Sequence, residues 1–246
     1  NKTGLKTSDK MSNPYFQFKQ FTVWHDKCAM KVGTDGVLLG AWTSVQGAHS
    51  ILDVGTGTGL VALMLAQRSL PNTNIVALEI DEAAAGQAKE NIVRSPWKKQ
   101  IEVVQADFRK YQSPEKFDVI VSNPPYFVDS LGCPDQQRNS ARHNDSLTYE
   151  ELLEGVTGLL TENGTFTIVI PMDVADRVKM IASEKKLQAV RQLNVITKPG
   201  GIPKRTLITF SFSNQECIVE ELLTEVARHQ YSKEYIALTR EYYLNM

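Results

Sequence analysis

From about residue 50 to residue 185, short apolar runs alternate with longer mixed stretches. Ser50–Val54, Asn74–Ile80, Ile101–Gln105, Phe117–Ser122 and Thr165–Ile170 are mostly apolar over five to seven residues, the pattern of strands buried on both faces. Between them, Leu60–Arg68, Glu82–Arg94, Tyr149–Leu160 and Val174–Lys185 read as helices. Asp81 is a good N-cap for the second of these, and Asn163-Gly164 is expected to close the third. Such alternation predicts a doubly wound α/β domain, a mostly parallel sheet with helices on both faces. Two further strands, Val190–Ile196 and Leu207–Phe212, bring the expected total to seven. The turn-rich stretch Thr197–Arg205 between them is too short for a parallel crossover, so the last strand is expected to run antiparallel. Ahead of the sheet, Val37–Trp42 reads as a short buried helix, opened at Thr34-Asp35-Gly36. Residues 127–147 form a long polar segment, and Glu220–Arg228 and Glu234–Tyr243 read as helical or frayed.

Composition narrows the class. A chain of 246 residues suits one large domain, and 42% hydrophobic with 22% charged residues is ordinary for a soluble globular protein. A net charge of -1 argues against indiscriminate nucleic-acid binding but leaves room for a local basic patch. Charge is uneven: residues 1–31 carry six lysines and two acids, a net +4 that leaves -5 for the rest. Residues 1–20 are expected to be a flexible segment, and 21–246 a single domain. Three well-separated cysteines (Cys28, Cys133, Cys217) give neither a disulfide framework nor a metal-binding spacing, and they fit a reducing, cytoplasmic setting. No signal peptide and no membrane-spanning apolar run stands out, and no metal is expected. Nothing in the sequence specifies an oligomer, and a monomer is the working expectation.

Chemistry enters at Asp53-Val54-Gly55-Thr56-Gly57-Thr58-Gly59, which follows the first sheet strand and opens a helix. Glycines there allow a sharp turn and close approach of a ligand to the backbone. The spacing is G-x-G-x-G, unlike the G-x-G-x-x-G of dinucleotide oxidoreductases. Glu79 ends the next strand, where an acid can take both ribose hydroxyls of a nucleoside. Asp107 follows the third strand, placed for the exocyclic amine of an adenine, with Phe108 or Ile80 to pack on the ring. Gly55, Gly57, Gly59, Glu79 and Asp107 thus outline a nucleoside site at the carboxyl ends of consecutive strands. This arrangement resembles the Rossmann-like class I methyltransferases, whose cofactor is S-adenosylmethionine. The resemblance puts Asp53 near the methionine ammonium of that cofactor.

Asn123-Pro124-Pro125-Tyr126 follows the fourth strand. Two prolines fix the backbone and remove two donors, and the two acceptors are assigned to the Asn123 side-chain oxygen and the Pro124 carbonyl. Two acceptors gripping the two N–H groups of a planar amine favour a pyramidal nitrogen with a free lone pair. Tyr126 is suited to stack on the planar group, worth about 1–3 kcal/mol, comparable with the cost of extruding a base. The tetrapeptide is similar to the motif of methyltransferases acting on amino groups of adenine, guanine or glutamine.

Phe21 to Trp42, together with Asn123-Pro124-Pro125-Tyr126-Phe127 and Arg138-Asn139-Ser140-Ala141-Arg142-His143, resembles the bacterial tRNA1(Val) adenine-N6 methyltransferases. The likeness covers about residues 15 to 212. It implies methylation of adenosine 37, beside the anticodon of a valine tRNA, with S-adenosyl-L-homocysteine as product. Residues 28–36 precede the first sheet strand and are placed to fold over the cofactor, with Lys31, Thr34 and Asp35 as polar candidates. Arg138, Arg142, Lys198, Lys204 and Arg205 are candidate contacts to tRNA phosphates. A glutamine-N5 methyltransferase would use the same tetrapeptide, but such relatives usually carry a helical domain before the first strand, and only about 48 residues precede it here. A nucleoside-binding module without catalysis is the alternative of another class, and the intact tetrapeptide argues against it. The glycine spacing argues against a nicotinamide oxidoreductase.

Overall fold

The computed structural model describes residues 13–125 and 146–246. Its centre is an eight-stranded sheet. The strands in chain order are β3 (Ser50–Val54), β4 (Asn74–Glu79), β5 (Ile101–Gln105), β6 (Phe117–Ser122), β7 (Leu160–Pro171), β8 (Gln188–Ile196), β9 (Arg205–Ser211) and β10 (Ile218–Leu223). Across the sheet they lie β10-β8-β9-β7-β6-β3-β4-β5. Every pairing is parallel except β7–β9 and β8–β9, so β9 alone runs against its neighbours. Helices α1 (Thr34–Trp42), α2 (Leu60–Arg68), α3 (Glu82–Val93), α4 (Tyr149–Leu159), α5 (Ala175–Glu184) and α6 (Lys233–Thr239) complete the frame. Asp81 caps α3 as expected, and Thr148 with Glu151 forms a capping box on α4.

The core has two layers, one on each face of the sheet. One packs α1, α2 and α6 with Ile51, Val119, Val169 and Leu207, and the other packs α4 and α5 with Leu52, Ile120, Phe166 and Ile208. Successive residues of a strand face opposite sides, so Ile51 and Leu52 serve different layers. This is why the strands read as continuous apolar runs rather than alternating ones.

Helix α1 lies close on α2 because its contact face carries Gly36 and Gly40, one turn apart. A Cβ at Gly40 would fall 2.5 Å from Met64 Sδ and 2.8 Å from Met64 Cβ. Gly40→Val is therefore expected to overpack this contact and destabilise the fold by about 1–3 kcal/mol. Thermal unfolding checks it: an unchanged midpoint would show that the helices separate freely.

The structure corrects three expectations. The sheet has an eighth strand, and the antiparallel strand is not the last. Residues 218–223 contain Glu220-Glu221-Leu222-Leu223, helical by propensity, but they pair in parallel with β8. The open edge of β8 offers a ladder of backbone hydrogen bonds, which outweighs a weak local preference. Next, the boundary after α4 is earlier than Asn163-Gly164, since β7 starts at Leu160 and takes an irregularity in its pairing with β6. Finally, residues 15–20 belong to the domain. Strands β1 (Tyr15–Gln17) and β2 (Thr22–Trp24) form a hairpin, and Phe18 is 1% exposed. Its ring stacks between Phe21 and Tyr243, and Lys19 donates to the carbonyls of Arg240 and Met246. Alternate aromatics at residues 16 and 18 are the apolar signal that the polar neighbours concealed.

Candidate active site

The chain leaves β3 towards β4 and β5 on one side, and leaves β6 towards β7 on the other. The crevice beyond the carboxyl ends of β3 and β6 is thus the point where strand order reverses, the usual ligand site of an open α/β sheet. Val54 and Ser122 are register partners there, and Ser122 Oγ donates to the Val54 carbonyl at 3.0 Å. The glycine turn and Asn123-Pro124-Pro125 therefore emerge side by side. Asn123 is half-buried, Pro124 buried and Pro125 exposed.

Gly55, Gly57 and Gly59 have φ of +74°, +56° and +87°, the left-handed region that other residues enter only with strain. Nothing lies within 4 Å of where a Cβ would sit on Gly55 or Gly57, so the turn presents bare backbone to open space. The N–H groups of Gly55 and Thr56 both donate to the Leu78 carbonyl, at 2.9 and 2.8 Å, which ties the turn to β4. Glu79 is fixed by two backbone donors: Gly57 N–H to Oε1 and Asp81 N–H to Oε2, each at 2.9 Å. A carboxylate has about four acceptor positions, so Glu79 keeps capacity for hydroxyl donors.

Asp53 is 1% exposed and accepts one side-chain hydrogen bond, from Thr56 Oγ1–H at 2.7 Å. Burial pushes its carboxyl up to about 7, the charge of Glu79 adds to the rise, and the Thr56 bond opposes it. A buried acid with so little compensation suits a cationic partner.

Asp107 caps the short turn Phe108–Lys110 and grips the Arg109 guanidinium at 2.9 Å. The Arg109 side-chain bond, joined by its backbone N–H, holds the Asp107 carboxyl below the usual range. Phe108 is 5% exposed and packs against Gly155 of α4 in the core. It is therefore not an open platform for a base, contrary to expectation. Ile80, half-buried, is the member of that pair with surface left to offer.

Residues 24–35 reach the same edge. Asn91 on α3, 1% exposed, exchanges both backbone hydrogen bonds of Trp24 at 2.9 Å and donates to the Thr58 carbonyl at 2.8 Å. Gln87, one turn earlier, accepts from Lys27 N–H at 2.9 Å and donates to Asp26 at 2.7 Å. His25 closes the loop that follows: Nδ1 accepts from Val32 N–H at 3.1 Å, and the Lys31 ammonium donates to the His25 carbonyl at 2.7 Å. Nε2 then carries the ring proton and donates to the Asn13 carbonyl at 2.8 Å. Burial, and after it the charge of Glu79, pushes the Cys28 thiol up to about 11. Thr34 is exposed at the start of α1, and Asp35 pairs with Arg205 at 3.2 Å. A Cβ on Gly36 would sit 3.5 Å from Asn123 Nδ2, so α1 begins against the Asn-Pro-Pro segment.

Asp53, the three glycines, Glu79, Asn123 and the 28–36 segment thus share one edge of the sheet. Gln87, Asn91, His25 and Ser122 are the supporting residues that sequence reading missed. A signal existed for two of them, an Asn and a Gln at i, i+4 spacing on the alanine face of α3. Tyr126, Arg138, Arg142 and His143 lie outside the described residues. Among the described residues, no group of His, Cys, Asp and Glu could hold a metal ion, and no helix is long and apolar enough to cross a membrane.

A doubly wound sheet with a G-x-G-x-G turn, an acid ending the next strand and Asn-Pro-Pro at the switch point defines a class I methyltransferase. Residues 32–197 match the family described as Methyltransferase small domain. Among solved structures, a predicted O-methyltransferase from Agrobacterium tumefaciens superposes with a TM-score of 0.66 at 17% identity, over 87% of this chain and 100% of the other. A glycopeptide N-methyltransferase complexed with S-adenosyl-L-methionine gives 0.55 at 13% identity, over 75% and 90%. Relatives in sequence include the tRNA1(Val) (adenine(37)-N6)-methyltransferases of Bacteroides thetaiotaomicron, 81% identical over 96% of this chain and 100% of the relative, and of Tolumonas auensis, 44% identical over 96% and 99%. The chain belongs to the tRNA1(Val) (adenine(37)-N6)-methyltransferase family.

Proposed function

We propose that this protein transfers a methyl group from S-adenosyl-L-methionine to N6 of adenosine 37 in tRNA1(Val), in the cytoplasm, releasing S-adenosyl-L-homocysteine. The observation that carries the chemistry is the adjacency of Asn123-Pro124-Pro125 to the glycine turn at the switch point. The cofactor supplies an electrophilic methyl on a sulfonium. Its fit is supported by the open space over Gly55 and Gly57, the buried acid at Asp53 and the spare acceptors of Glu79. In this reading Glu79 takes the ribose hydroxyls, Asp53 faces the ammonium, Ile80 covers the base, and Lys31, Thr34 and Asp35 line the loop over the site. Asp107 keeps its place at the adenine end, shared with Arg109.

The Asn123 side-chain oxygen and the Pro124 carbonyl accept the two hydrogens of N6. That grip disfavours delocalisation of the nitrogen lone pair into the ring, and it aims the lone pair at the methyl. No base acts beforehand, because the proton can leave after transfer. The remainder of catalysis is alignment of donor and acceptor. Tyr126 is assigned to stack on the extruded adenine.

Unmodified tRNA and tritiated cofactor provide the test. Label is expected as N6-methyladenosine after digestion to nucleosides. Label on release factors, or as methylguanosine, would keep the methyltransferase and overturn the substrate. Absence of transfer with tight S-adenosylhomocysteine binding would favour a nucleoside-binding module.

A further inference from the structure

The connection between β8 and β9 carries an arrangement that methyl transfer itself does not use. Strand β8 ends and β9 begins at the carboxyl edge, since Arg205 pairs with Pro171 at the end of β7 and with Val195 near the end of β8. Residues 197–204 therefore stand at the same edge as Asn123. Two strand spacings separate β6 from β9, about 10 Å. Through the Asp35–Arg205 pair this connection also touches α1, whose Gly36 abuts Asn123.

Its shape is set in advance. The Gly201 N–H donates to the Lys198 carbonyl at 3.0 Å, with Pro199 and Gly200 between them and Gly200 at φ +75°. That is a type II turn with its favoured residues in place. Pro203 fixes the backbone on the far side, and the Lys204 carbonyl takes the Met172 N–H at 2.9 Å. Between the two prolines stands Ile202, 76% exposed, next to the exposed Lys198 and Lys204.

An isolated exposed aliphatic residue is ordinary. A β-branched one set between a type II turn and a proline, flanked in sequence by two lysines and at the edge that carries the site for an extruded base, fits a partner that is anionic yet has flat apolar faces. Single-stranded RNA has both. Extruding a base bares the faces of its neighbours in the stack, and an apolar side chain laid against them offsets part of the cost.

We infer that residues 197–204 form an RNA-docking turn, in which Ile202 packs on a base flanking the target adenosine while Lys198 and Lys204 meet the adjoining phosphates. This rests on the function proposed above. It adds an apolar determinant to an interface otherwise described by charge.

The experiment compares wild type with Ile202→Ala, Ile202→Phe, Lys198→Ala and Lys204→Ala in tRNA binding across a salt series, in methyl transfer and in S-adenosylhomocysteine binding. Ile202→Ala should weaken tRNA binding about tenfold, with the salt slope, the thermal midpoint and S-adenosylhomocysteine affinity unchanged. Ile202→Phe should restore binding. Each lysine variant should reduce the slope of log K against log salt by about 0.7. Wild-type tRNA binding in Ile202→Ala would overturn the docking turn and leave the methyltransferase intact. So would a loss in Ile202→Ala that tracks the salt slope or the thermal midpoint. A wild-type protein that neither binds nor methylates any tRNA would overturn the substrate itself.

Discussion

Asn123→Ala is expected to lower the rate constant for methyl transfer by about a thousandfold, the scale for removing one preorganised hydrogen-bonding group from a reacting centre. Affinity for S-adenosylhomocysteine should hold within about threefold, because the glycine turn, Glu79 and Asp53 do not depend on the Asn123 side chain. Two features support this separation. Ser122 Oγ anchors the end of β6 to the Val54 carbonyl through its own hydroxyl, so the backbone at residue 123 stays in register. Pro124 and Pro125 then keep the segment's path without help from the side chain. Single-turnover transfer to unmodified tRNA, read alongside calorimetric titration with S-adenosylhomocysteine, checks both halves. A variant with near wild-type transfer would remove Asn123 from the reaction. A variant unable to bind the product would make the residue structural instead.

Asp53→Asn should separate stability from function in the opposite sense. The Asp53 carboxyl stands at about 7 in the folded chain against an ordinary 3.8. Between those values the native state holds a proton that the unfolded chain has released, so stability falls as pH rises through this window and levels off above it. At pH 8 the native protein carries a buried anion, offset only in part by bonds from Thr56 and the Ala62 backbone. The shift corresponds to a ceiling of about 4 kcal/mol at 1.36 kcal/mol per pH unit. An Asn keeps an acceptor for Thr56 Oγ1–H and removes the charge. The variant should therefore unfold at a higher temperature than wild type at pH 8, and at nearly the same temperature at pH 4. Its affinity for S-adenosylmethionine should drop at least about tenfold, for want of an anion opposite the ammonium. Thermal melts at the two pH values and a binding titration decide the matter. A lower midpoint at pH 8, or undiminished cofactor binding, would falsify the role given to this carboxylate.

Much of this site is legible in the residues because backbone geometry limits which residues are tolerated. Three left-handed positions at alternate residues after a strand favour glycines, and Gly55, Gly57 and Gly59 are glycines. A long parallel sheet needs mostly apolar strands, and β3, β6 and the second half of β7 show them. Phe108 was misjudged because position after a strand does not say which way a ring turns: Gly155 on α4, 47 positions away in sequence, opens the space that the ring fills. The same holds for β10, whose glutamates read as helical until the free edge of β8 is known. The 24–35 segment depends on Asn91 and His25 bonding largely to backbone atoms, and although the i, i+4 spacing of Gln87 and Asn91 is visible in the sequence, the backbone groups they meet are not.

The clasp between residues 16–21 and 235–246 bears on how the protein is made. Lys19 and Met246 are 227 positions apart, among the longest closures in the fold. Bringing such distant positions together carries a loop entropy that nearer contacts do not. On the ribosome the amino-terminal part emerges first. The hairpin that leads into the cofactor loop must then wait for the sheet to form and for α6 to arrive before Phe18 finds Tyr243. Phe18 therefore completes its packing only after residues 235–246 have been made, whereas Trp24 and Lys27, held by Asn91 and Gln87 of α3, do not wait for them.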